Sequence, residues 1–330
     1  MRAEILALLR ARADYVSGQE LCERFHVSRT AVWKAIGQLK KQGYEIEAVQ
    51  NKGYRLLVNE DIFGQNELES RLETKWVGRP LFFHETIGST NTEAKLLAEK
   101  GAGQGTLVVA DMQSAGKGRR GRSWSSPSGK NVYYTLLLKP DFAPDKASQL
   151  TVVMALAVAE GLQKVLDAGT AEKVGIKWPN DIVVDGKKVC GILTEMSAEQ
   201  DYIQYVVIGV GINVFSQEFG PELVDKATDI ETISGQRISR SKLLTAILTS
   251  FEELYELFLG TESLAEMKER YHKLLVNIGR EVCVLDPKGE YRAVAVGITD
   301  SGELTVRMSD GKTQNVYAGE VSVRGIYGYV

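Results

Sequence analysis

Three helical patterns followed by two short strand patterns fill the first sixty residues, and this order restricts the fold more than any other feature of the chain. Ser17 and Glu20 form the S-x-x-E pattern that begins a helix. Ser28 begins another helix, whose apolar residues recur every three to four positions. Asn51-Lys52-Gly53 then has the composition of a hairpin turn. Three helices and a hairpin predict a winged helix-turn-helix domain.

The third helical pattern, residues 29–41, would be the recognition helix of this domain. Residues 1–58 carry a net charge of +4 and the rest of the chain carries −7, so attraction to phosphate would act on the first segment. We therefore predict binding to DNA, with a dimer reading a two-part site. The alternative is that the cations only solubilise a small domain and that Trp33 belongs to its core. The side chains that suit phosphates and base edges are Arg29, Thr30, Trp33, Lys34, Gln38 and Lys52.

Composition excludes several other classes of protein. Hydrophobic residues make up 44% of the chain and charged residues 25%, which is ordinary for a globular protein. No apolar run approaches the ~18 residues of a membrane helix, and the start of the chain lacks a signal-peptide pattern, so we predict a cytoplasmic protein without a membrane partner. The three cysteines and three histidines are scattered, which disfavours disulfides and a zinc site, and no metal-binding residues are predicted.

The most informative stretch follows an apolar strand pattern at residues 107–111. Three glycines and four cations lie between Gly116 and Arg122, and Trp124 follows. Glycine lets backbone N–H groups converge on an anion that the cations neutralise, so this loop predicts a phosphate-bearing ligand. It formally fits G-x-G-x-x-G, but turn-forming residues 125–129 follow where a Rossmann loop requires a helix. The alternative is a solvated cationic loop.

Polar residues also stand at the ends of other predicted elements. A hydroxyl-rich helix start lies at residues 89–93, where Thr90 to Glu93 fit a capping box. Asp181 follows a strand pattern, and Lys188 begins the second strand of a predicted hairpin. Periodicity alone favours a turn cap for Asp181 and an exposed edge charge for Lys188. From residue 281 onwards, short strand patterns between tight turns predict a small barrel.

Together these motifs resemble those of the bifunctional biotin–protein ligase and biotin-operon repressor family. The resemblance covers nearly the whole chain and implies an α+β multidomain protein: a winged helix-turn-helix domain (1–60), a central mixed β-sheet domain of the class II aminoacyl-tRNA synthetase and biotin ligase type (61–275), and an SH3-like β-barrel (276–330). The residues that carry the resemblance are Ser89-Thr90-Asn91, Gly116–Trp124, Lys177–Asp181, Lys188 and Gly209–Asn213.

The resemblance implies a two-step reaction. Biotin and ATP, with Mg²⁺, would give biotinyl-5′-AMP, and biotin would then pass to a lysine of the biotin carboxyl carrier protein of acetyl-CoA carboxylase. The adenylate-bound homodimer would repress biotin biosynthesis genes. Two alternatives stay open: a ligand-sensing repressor without catalysis, and a lipoate–protein ligase. The Arg-Arg-x-Ser-Gly-Gly-Gly signature of the lipoate family is absent, which argues against the second.

The resemblance also assigns roles to matched positions. The catalytic set would be Lys188, Arg119 and Asp181, with Asp181 as the group that activates the attacking lysine. Lys117 and Ser125 depart from the family, which often has Arg and an aromatic residue at these positions. Biotin would contact Ser89, Thr90, Asn91, Gln113, Lys117, Gly118, Arg119 and Lys188. ATP or the adenylate would contact Arg122, Trp124, Asn180, Asp181 and Asn213.

Overall fold

A computed structural model of the chain describes residues 1–57, 61–286, 289–317, 322–325 and 329–330. Residue 60, the predicted first boundary, lies outside these residues. The described chain divides into two compact units, of which the first comprises Met1–Glu73 and Ile238–Thr245. The second comprises Thr74–Arg237 and Ala246–Val330. The finer division into three domains stays a prediction.

The first unit contains the predicted winged helix-turn-helix. Ser17 and Ser28 each accept a hydrogen bond from the backbone N–H three residues later, at 3.0 and 3.2 Å, which confirms both predicted helix starts. In a full capping box, Glu20 would also accept a hydrogen bond from the backbone N–H of Ser17. Here the carboxylate of Glu20 instead pairs with Arg12 at 2.7 Å. The elements in chain order are α1 (Arg2–Ala11), α2 (Gly18–Phe25), α3 (Arg29–Lys41), β1 (Ile46–Val49), β2 (Gly53–Leu56) and α4 (Gln65–Arg71).

A small apolar core holds these elements together. Apolar side chains of α1, α2 and α3 are buried in it, and partly buried residues of the hairpin pack against them. Helix α4 adds a polar contact, since the buried carboxylate of Glu67 accepts from Arg10 at 2.8 Å and from Arg71 at 2.5 Å. Two guanidinium groups thus compensate one buried charge, and this pairing fixes α4 against α1.

The second unit is built on a seven-stranded mixed sheet. Strands β3 and β4 are parallel, and the other neighbours in the order β3-β4-β5-β9-β8-β7-β6 are antiparallel. Strand β5 is fully buried, which explains its almost continuous apolar sequence. The strands are β3 (Leu81–Ile87), β4 (Leu107–Gln113), β5 (Val132–Leu138), β6 (Val174–Lys177), β7 (Asp181–Val184), β8 (Lys187–Ala198) and β9 (Ile203–Ile212).

Helices cover this sheet. Helix α5 packs on β4, β5 and β9, while α6 packs on β6 and β8. Helix α6 begins after a 3-10 turn at Pro144–Ser148 and ends before Leu166, whose backbone is extended. The helices are α5 (Thr90–Glu99), α6 (Gln149–Val165), α7 (Ala168–Ala171), α8 (Ile230–Ser234), α9 (Arg240–Thr261) and α10 (Lys268–Leu274).

The last segment forms a five-stranded antiparallel sheet in the order β13-β12-β11-β10-β14. This confirms the predicted change to strands between tight turns, while closure of the sheet into a small barrel stays a prediction. Among the described residues, none of the helices combines the length and apolar character that crossing a membrane requires. The strands are β10 (Glu281–Asp286), β11 (Gly289–Ile298), β12 (Leu304–Arg307), β13 (Thr313–Val316) and β14 (Ser322–Gly325).

Candidate active site

A polar cleft gathers most of the residues that the sequence predicts for small-molecule binding. All the residues predicted for biotin line it, as do Trp124 and Asn180 of the nucleotide set. Its cavity volume is about 60 Å³, well below the ~300–1,000 Å³ of typical ligand sites, so a large ligand requires its lining to move. The lining residues are Ser89, Thr90, Asn91, Gln113, Lys117, Gly118, Arg119, Trp124, Asn180, Lys188, Gly191, Ile192, Leu193, Gly209, Val210 and Gly211.

Thr90, Asn91 and Gln113 line one side of the cleft, and we call them, together with their hydrogen-bond partners Thr135 and Glu195, the polar wall. The amide of Asn91 donates to Glu195 at 2.8 Å, and its Oδ1 accepts from the Thr135 hydroxyl at 2.6 Å. The side-chain carbonyl of Gln113 accepts from the backbone N–H of Thr90 at 2.9 Å. Because these partners occupy both ends of the Asn91 amide, its orientation is fixed before any ligand binds.

Glu195 has a second partner outside the polar wall. Its other carboxylate oxygen lies 2.6 Å from Nζ of Lys95. Burial raises the pKa of the Glu195 carboxyl, but the hydrogen bond from Asn91 and the pairing with Lys95 outweigh it and hold the pKa below its ordinary value. Glu195 therefore acts as an ionised acceptor at neutral pH.

The predicted capping box at the start of α5 is wrong. Helix α5 has Ser89 as its N-cap, with no side-chain capping hydrogen bond. The Thr90 hydroxyl instead lies 3.1 Å from Oε1 of Gln113 on β4. The hydroxyl-rich sequence thus serves the polar wall rather than the helix start.

Residues 116–124, which we call the cationic loop, form another side of the cleft. The backbone N–H of Gly118 donates to the carbonyl of Arg122 at 2.7 Å, and a single 3-10 turn spans Arg119–Gly121. The loop therefore contains no α-helix, which confirms that its glycines do not form a Rossmann motif. Lys117 and Arg122 are exposed.

Arg119 connects the cationic loop to the sheet. Its Nη1 donates to Oδ1 of Asn180 at 2.8 Å, just before β7. Burial lowers the pKa of the Arg119 guanidinium, and the nearby Asp181 carboxylate opposes this effect. An arginine keeps its charge under such conditions, so the loop presents a permanently charged guanidinium to the cleft.

Two glycines make room for Trp124 at the end of the cationic loop. Gly191 and Gly211 are register partners on β8 and β9. A Cβ on Gly211 would lie 2.5 Å from Nε1 of Trp124, and one on Gly191 would lie 2.8 Å from its Cζ3. The indole thus lies directly on the backbone of the sheet, which only glycine allows at these positions. Its buried Nε1 has no hydrogen-bond partner among the described residues.

Lys188 lies between the cationic loop and strand β7. Its Nζ is 2.5 Å from Oδ1 of Asp181 and 5.3 Å from the centroid of the Trp124 ring. Its side chain is only 22% exposed, so interpreting Lys188 as an exposed edge charge is wrong. Asp181 itself does not line the cleft, and its carboxylate also accepts a hydrogen bond from Tyr329.

Two other residues predicted for the nucleotide also lie off the cleft lining. Arg122 is exposed on the cationic loop. Asn213 is buried just after β9, and its amide donates to the carbonyl of Thr228 at 3.1 Å. This contact joins two chain segments, and a nucleotide role for Asn213 stays a prediction.

Sequence reasoning missed several residues of this site. Ile192 and Leu193 line the cleft, and Thr135 and Glu195 complete the polar wall. Thr135 is a polar residue within an apolar strand pattern, and this is the signal that identifies it. Glu195 gives no comparable signal, because an acidic residue on a strand is usually exposed.

The side chains predicted to bind DNA are exposed on the first unit, and their contact with DNA stays a prediction. The predicted residues of α3 are exposed on one helix, and Lys52 is exposed in the hairpin turn. Trp33 is 67% exposed, so its interpretation as a core residue is wrong. An exposed tryptophan between cations is typical of a binding surface. The exposed α3 residues are Arg29, Thr30, Trp33, Lys34 and Gln38.

Three family models match this chain in consecutive segments. An HTH domain matches residues 2–55, the biotin/lipoate A/B protein ligase family matches residues 83–213, and the biotin protein ligase C-terminal domain matches residues 278–324. The second match contains every residue of the cleft lining.

Two relatives align with this chain over nearly their whole length. The chain is 38% identical to the bifunctional ligase/repressor BirA of Bacillus subtilis, over 98% of both chains. It is 31% identical to the Escherichia coli protein of the same name, over 97% of this chain and 96% of that protein. A biotin protein ligase from Aquifex aeolicus, solved in complex with biotin and ATP, superimposes with a TM-score of 0.64 at 31% identity and covers 74% of this chain and 98% of that one.

Proposed function

This chain belongs to the BirA family of bifunctional ligase/repressors, and from this premise we propose that it attaches biotin to a carrier protein and represses transcription. The observation that supports the ligase activity most directly is the cleft. It combines a fixed set of hydrogen-bonding side chains on the polar wall with the cations Lys117, Arg119 and Lys188. A ligand with a polar, uncharged end and an anionic end fits such a site.

In the first step, an oxygen of the biotin carboxylate attacks the α-phosphorus of ATP. The new O–P bond forms as the P–O bond to pyrophosphate breaks, which gives biotinyl-5′-AMP. The polar wall would bind the ureido end of biotin. Two anions must approach each other in this step, and Lys188 and Arg119 would offset their repulsion at a site largely shielded from water.

Mg²⁺ would enter this site together with ATP. Among the described residues, no group of three or more His, Cys, Asp or Glu side chains is placed to hold a metal ion. The carboxylates near the cleft, Asp181 and Glu195, are each paired with a lysine. Because Mg²⁺ commonly binds through substrate phosphates and few protein ligands, we propose that the ATP phosphates supply most of its ligands.

In the second step, the amine of a carrier lysine attacks the acyl carbon of the adenylate. The C–N bond forms, the C–O bond to AMP breaks with its electron pair leaving on AMP, and the proton of the amine passes to solvent water. We propose that Asp181 serves by holding Lys188 rather than as the proton acceptor, since Lys188 and Tyr329 already occupy its carboxylate. The cationic loop would close over the adenylate and exclude water until the carrier arrives.

The second function rests on the exposed face of α3. We propose that this face enters the major groove of operator DNA, and that a homodimer formed when the adenylate is bound reads a two-part site. Such regulation couples ligand binding in the second unit to DNA binding by the first. The BirA relatives align over nearly their full length, so the alignment includes both units. We also expect the protein to act in the cytoplasm.

The ligase activity is tested by mixing the protein with ATP, biotin and an isolated carrier domain. We expect the mass of the carrier to rise by one biotinyl group only when all components are present. Lipoate is the matched competitor: transfer of lipoate in preference to biotin would contradict the proposed substrate. A protein that binds biotin but leaves the carrier mass unchanged would be a sensor without catalysis.

The repressor activity is tested by gel shift on biotin-gene promoters, with and without biotin and ATP. We expect Lys34→Ala to weaken DNA binding severalfold, because one phosphate contact is lost. The slope of log K against log salt concentration should become less steep by about 1. Carrier biotinylation should be unchanged. Lys100→Ala, an exposed lysine of the second unit, is the control. Equal effects of both substitutions would contradict the proposed surface.

A further inference from the structure

Tyr329 lies against the ion pair of the candidate active site, although it is far from that pair in sequence. Its hydroxyl donates to Oδ2 of Asp181, while Nζ of Lys188 lies 2.5 Å from Oδ1. The Asp181 side chain is only 15% exposed. Each oxygen of this nearly buried carboxylate therefore has its own partner, and neither the sequence motifs nor the matched family models include Tyr329.

Two further contacts hold Tyr329 in place. The ammonium of Lys177, a buried residue of β6, lies 3.4 Å from the centroid of the Tyr329 ring. Such a cation–π contact is stronger when both groups are shielded from water. The next residue, Val330, lies beside the hairpin turn at Gly186, where an added Cβ would be 3.5 Å from its Cγ2. The ring is thus anchored independently of its hydroxyl.

We propose that Tyr329 is a positioning residue of the adenylation site: its hydroxyl fixes Asp181, and Asp181 fixes the direction of the Lys188 ammonium at the cleft. This inference rests on the proposed function, in which Lys188 meets the carboxylate of biotin. Without the hydroxyl, one oxygen of Asp181 loses its partner in a nearly buried site. The carboxylate then rotates or binds a proton, and in both cases Lys188 loses its fixed geometry.

The electrostatics of Asp181 agree with this geometry. Burial raises the pKa of the Asp181 carboxyl, but the contacts from Lys188, Tyr329 and Lys177 outweigh it and hold the pKa below its ordinary value. Loss of the Tyr329 hydroxyl should therefore raise this pKa, so that Asp181 becomes protonated at a higher pH. The ionisable groups that face Asp181 are Lys188, Lys177, Tyr329, Arg119 and Cys190.

The test compares Tyr329→Phe with the unmodified protein. This substitution removes the hydroxyl and keeps the ring on Lys177, so we expect thermal unfolding to stay cooperative, with a Tm lowered by only a few degrees. Biotin affinity and pyrophosphate release should each fall roughly tenfold, the usual scale for losing a hydrogen bond to a charged group. The acidic limb of the pH–rate profile should move to higher pH. Tyr317→Phe, at a tyrosine that is 42% exposed, should change none of these quantities.

Repeating the comparison in an Asp181→Asn variant distinguishes a positioning role of Tyr329 from a general structural role. In Asp181→Asn, the hydroxyl no longer holds a charged carboxylate, so adding Tyr329→Phe should lower biotin affinity by less than about twofold. Equal losses in both backgrounds, or no loss in the single variant, would overturn the proposal. A ¹³C NMR titration of the Asp181 carboxyl needs no substrate and should show a higher pKa in Tyr329→Phe. If the unmodified protein releases no pyrophosphate, the proposed function fails, whereas this titration still decides whether Tyr329 holds Asp181.

Discussion

The polar wall and the cationic loop line the same cleft, but they are built in different ways. Thr90, Asn91 and Thr135 of the polar wall are buried and are joined by short hydrogen bonds. Most side chains of the cationic loop are exposed, and its backbone folds back on itself through hydrogen bonds from Gly118 to Arg122 and from Trp124 to Gly116.

The difference indicates that the two sides perform different tasks. A network whose members hold one another has one arrangement, which suits a ligand end that must be recognised by shape and hydrogen bonding. An exposed, glycine-rich loop can change conformation at low cost, which suits a group that must admit a ligand and then cover it. Lys188 lines the same cleft beside Trp124 and Asp181, where we expect the biotin carboxylate to meet ATP.

The largest effect should come from removing the Lys188 cation, which lines the cleft and pairs with Asp181. Lys188→Ala leaves the Asp181 carboxylate without its ion-pair partner and removes the charge that faces the reacting anions. We expect pyrophosphate release to fall by roughly a hundredfold or more. Lys187→Ala removes an exposed lysine one residue earlier on β8 and should have little effect. Comparable losses in both variants would show that Lys188 has no special place in the site.

A matched pair of glycines on β9 distinguishes the two sides directly. A Cβ on Gly209 would lie 1.9 Å from Oδ1 of Asn91, whereas one on Gly211 would meet Trp124. Gly209→Ala should therefore lower biotin affinity by roughly tenfold or more, because overpacking displaces the polar wall. Calorimetry with biotin alone measures this effect. Gly260→Ala, at an exposed glycine with open space around it, is the control.

Gly211, the other glycine of the pair, should affect ATP binding more than biotin binding. Gly211→Ala pushes the indole of Trp124 off the sheet, so we expect ATP affinity to fall roughly tenfold while biotin affinity changes by less than about twofold. If Gly209→Ala and Gly211→Ala weakened both ligands equally, the division of the cleft into two functional sides would be wrong.

A smaller effect should follow from changing the loop itself. Arg119→Gly removes the contact to Asn180, and we expect the adenylate to escape several times faster, roughly fivefold to tenfold, because the closed loop loses a charge-assisted hydrogen bond. Released adenylate would biotinylate unrelated proteins, which blotting for biotin detects. The matched control is Arg120→Gly, since Arg120 is exposed and has a left-handed backbone (φ 56°) that glycine adopts freely. Retention of the adenylate by Arg119→Gly would contradict the closing role.

The same contrast explains how much of the molecule its sequence can predict. The cationic loop is contiguous, so its glycines and cations are visible as a motif, and the helix starts at Ser17 and Ser28 are equally local. The polar wall combines residues from β4, β5, β8 and α5, and no local pattern brings Thr135 or Glu195 to Asn91. Tyr329 is the extreme case, because only the tertiary fold places it on Asp181.

The central claim is that a preformed polar wall and a closing cationic loop bind one adenylate between them. Hydrogen exchange of the full-length protein, measured with and without biotin and ATP, tests it most directly. We expect amides of residues 116–124 to exchange at least roughly tenfold more slowly with both ligands, while amides of α5 and β5 are already slow and change little. Loop amides that exchange at the same rate in both conditions, or protection that appears only outside the cleft, would contradict the account.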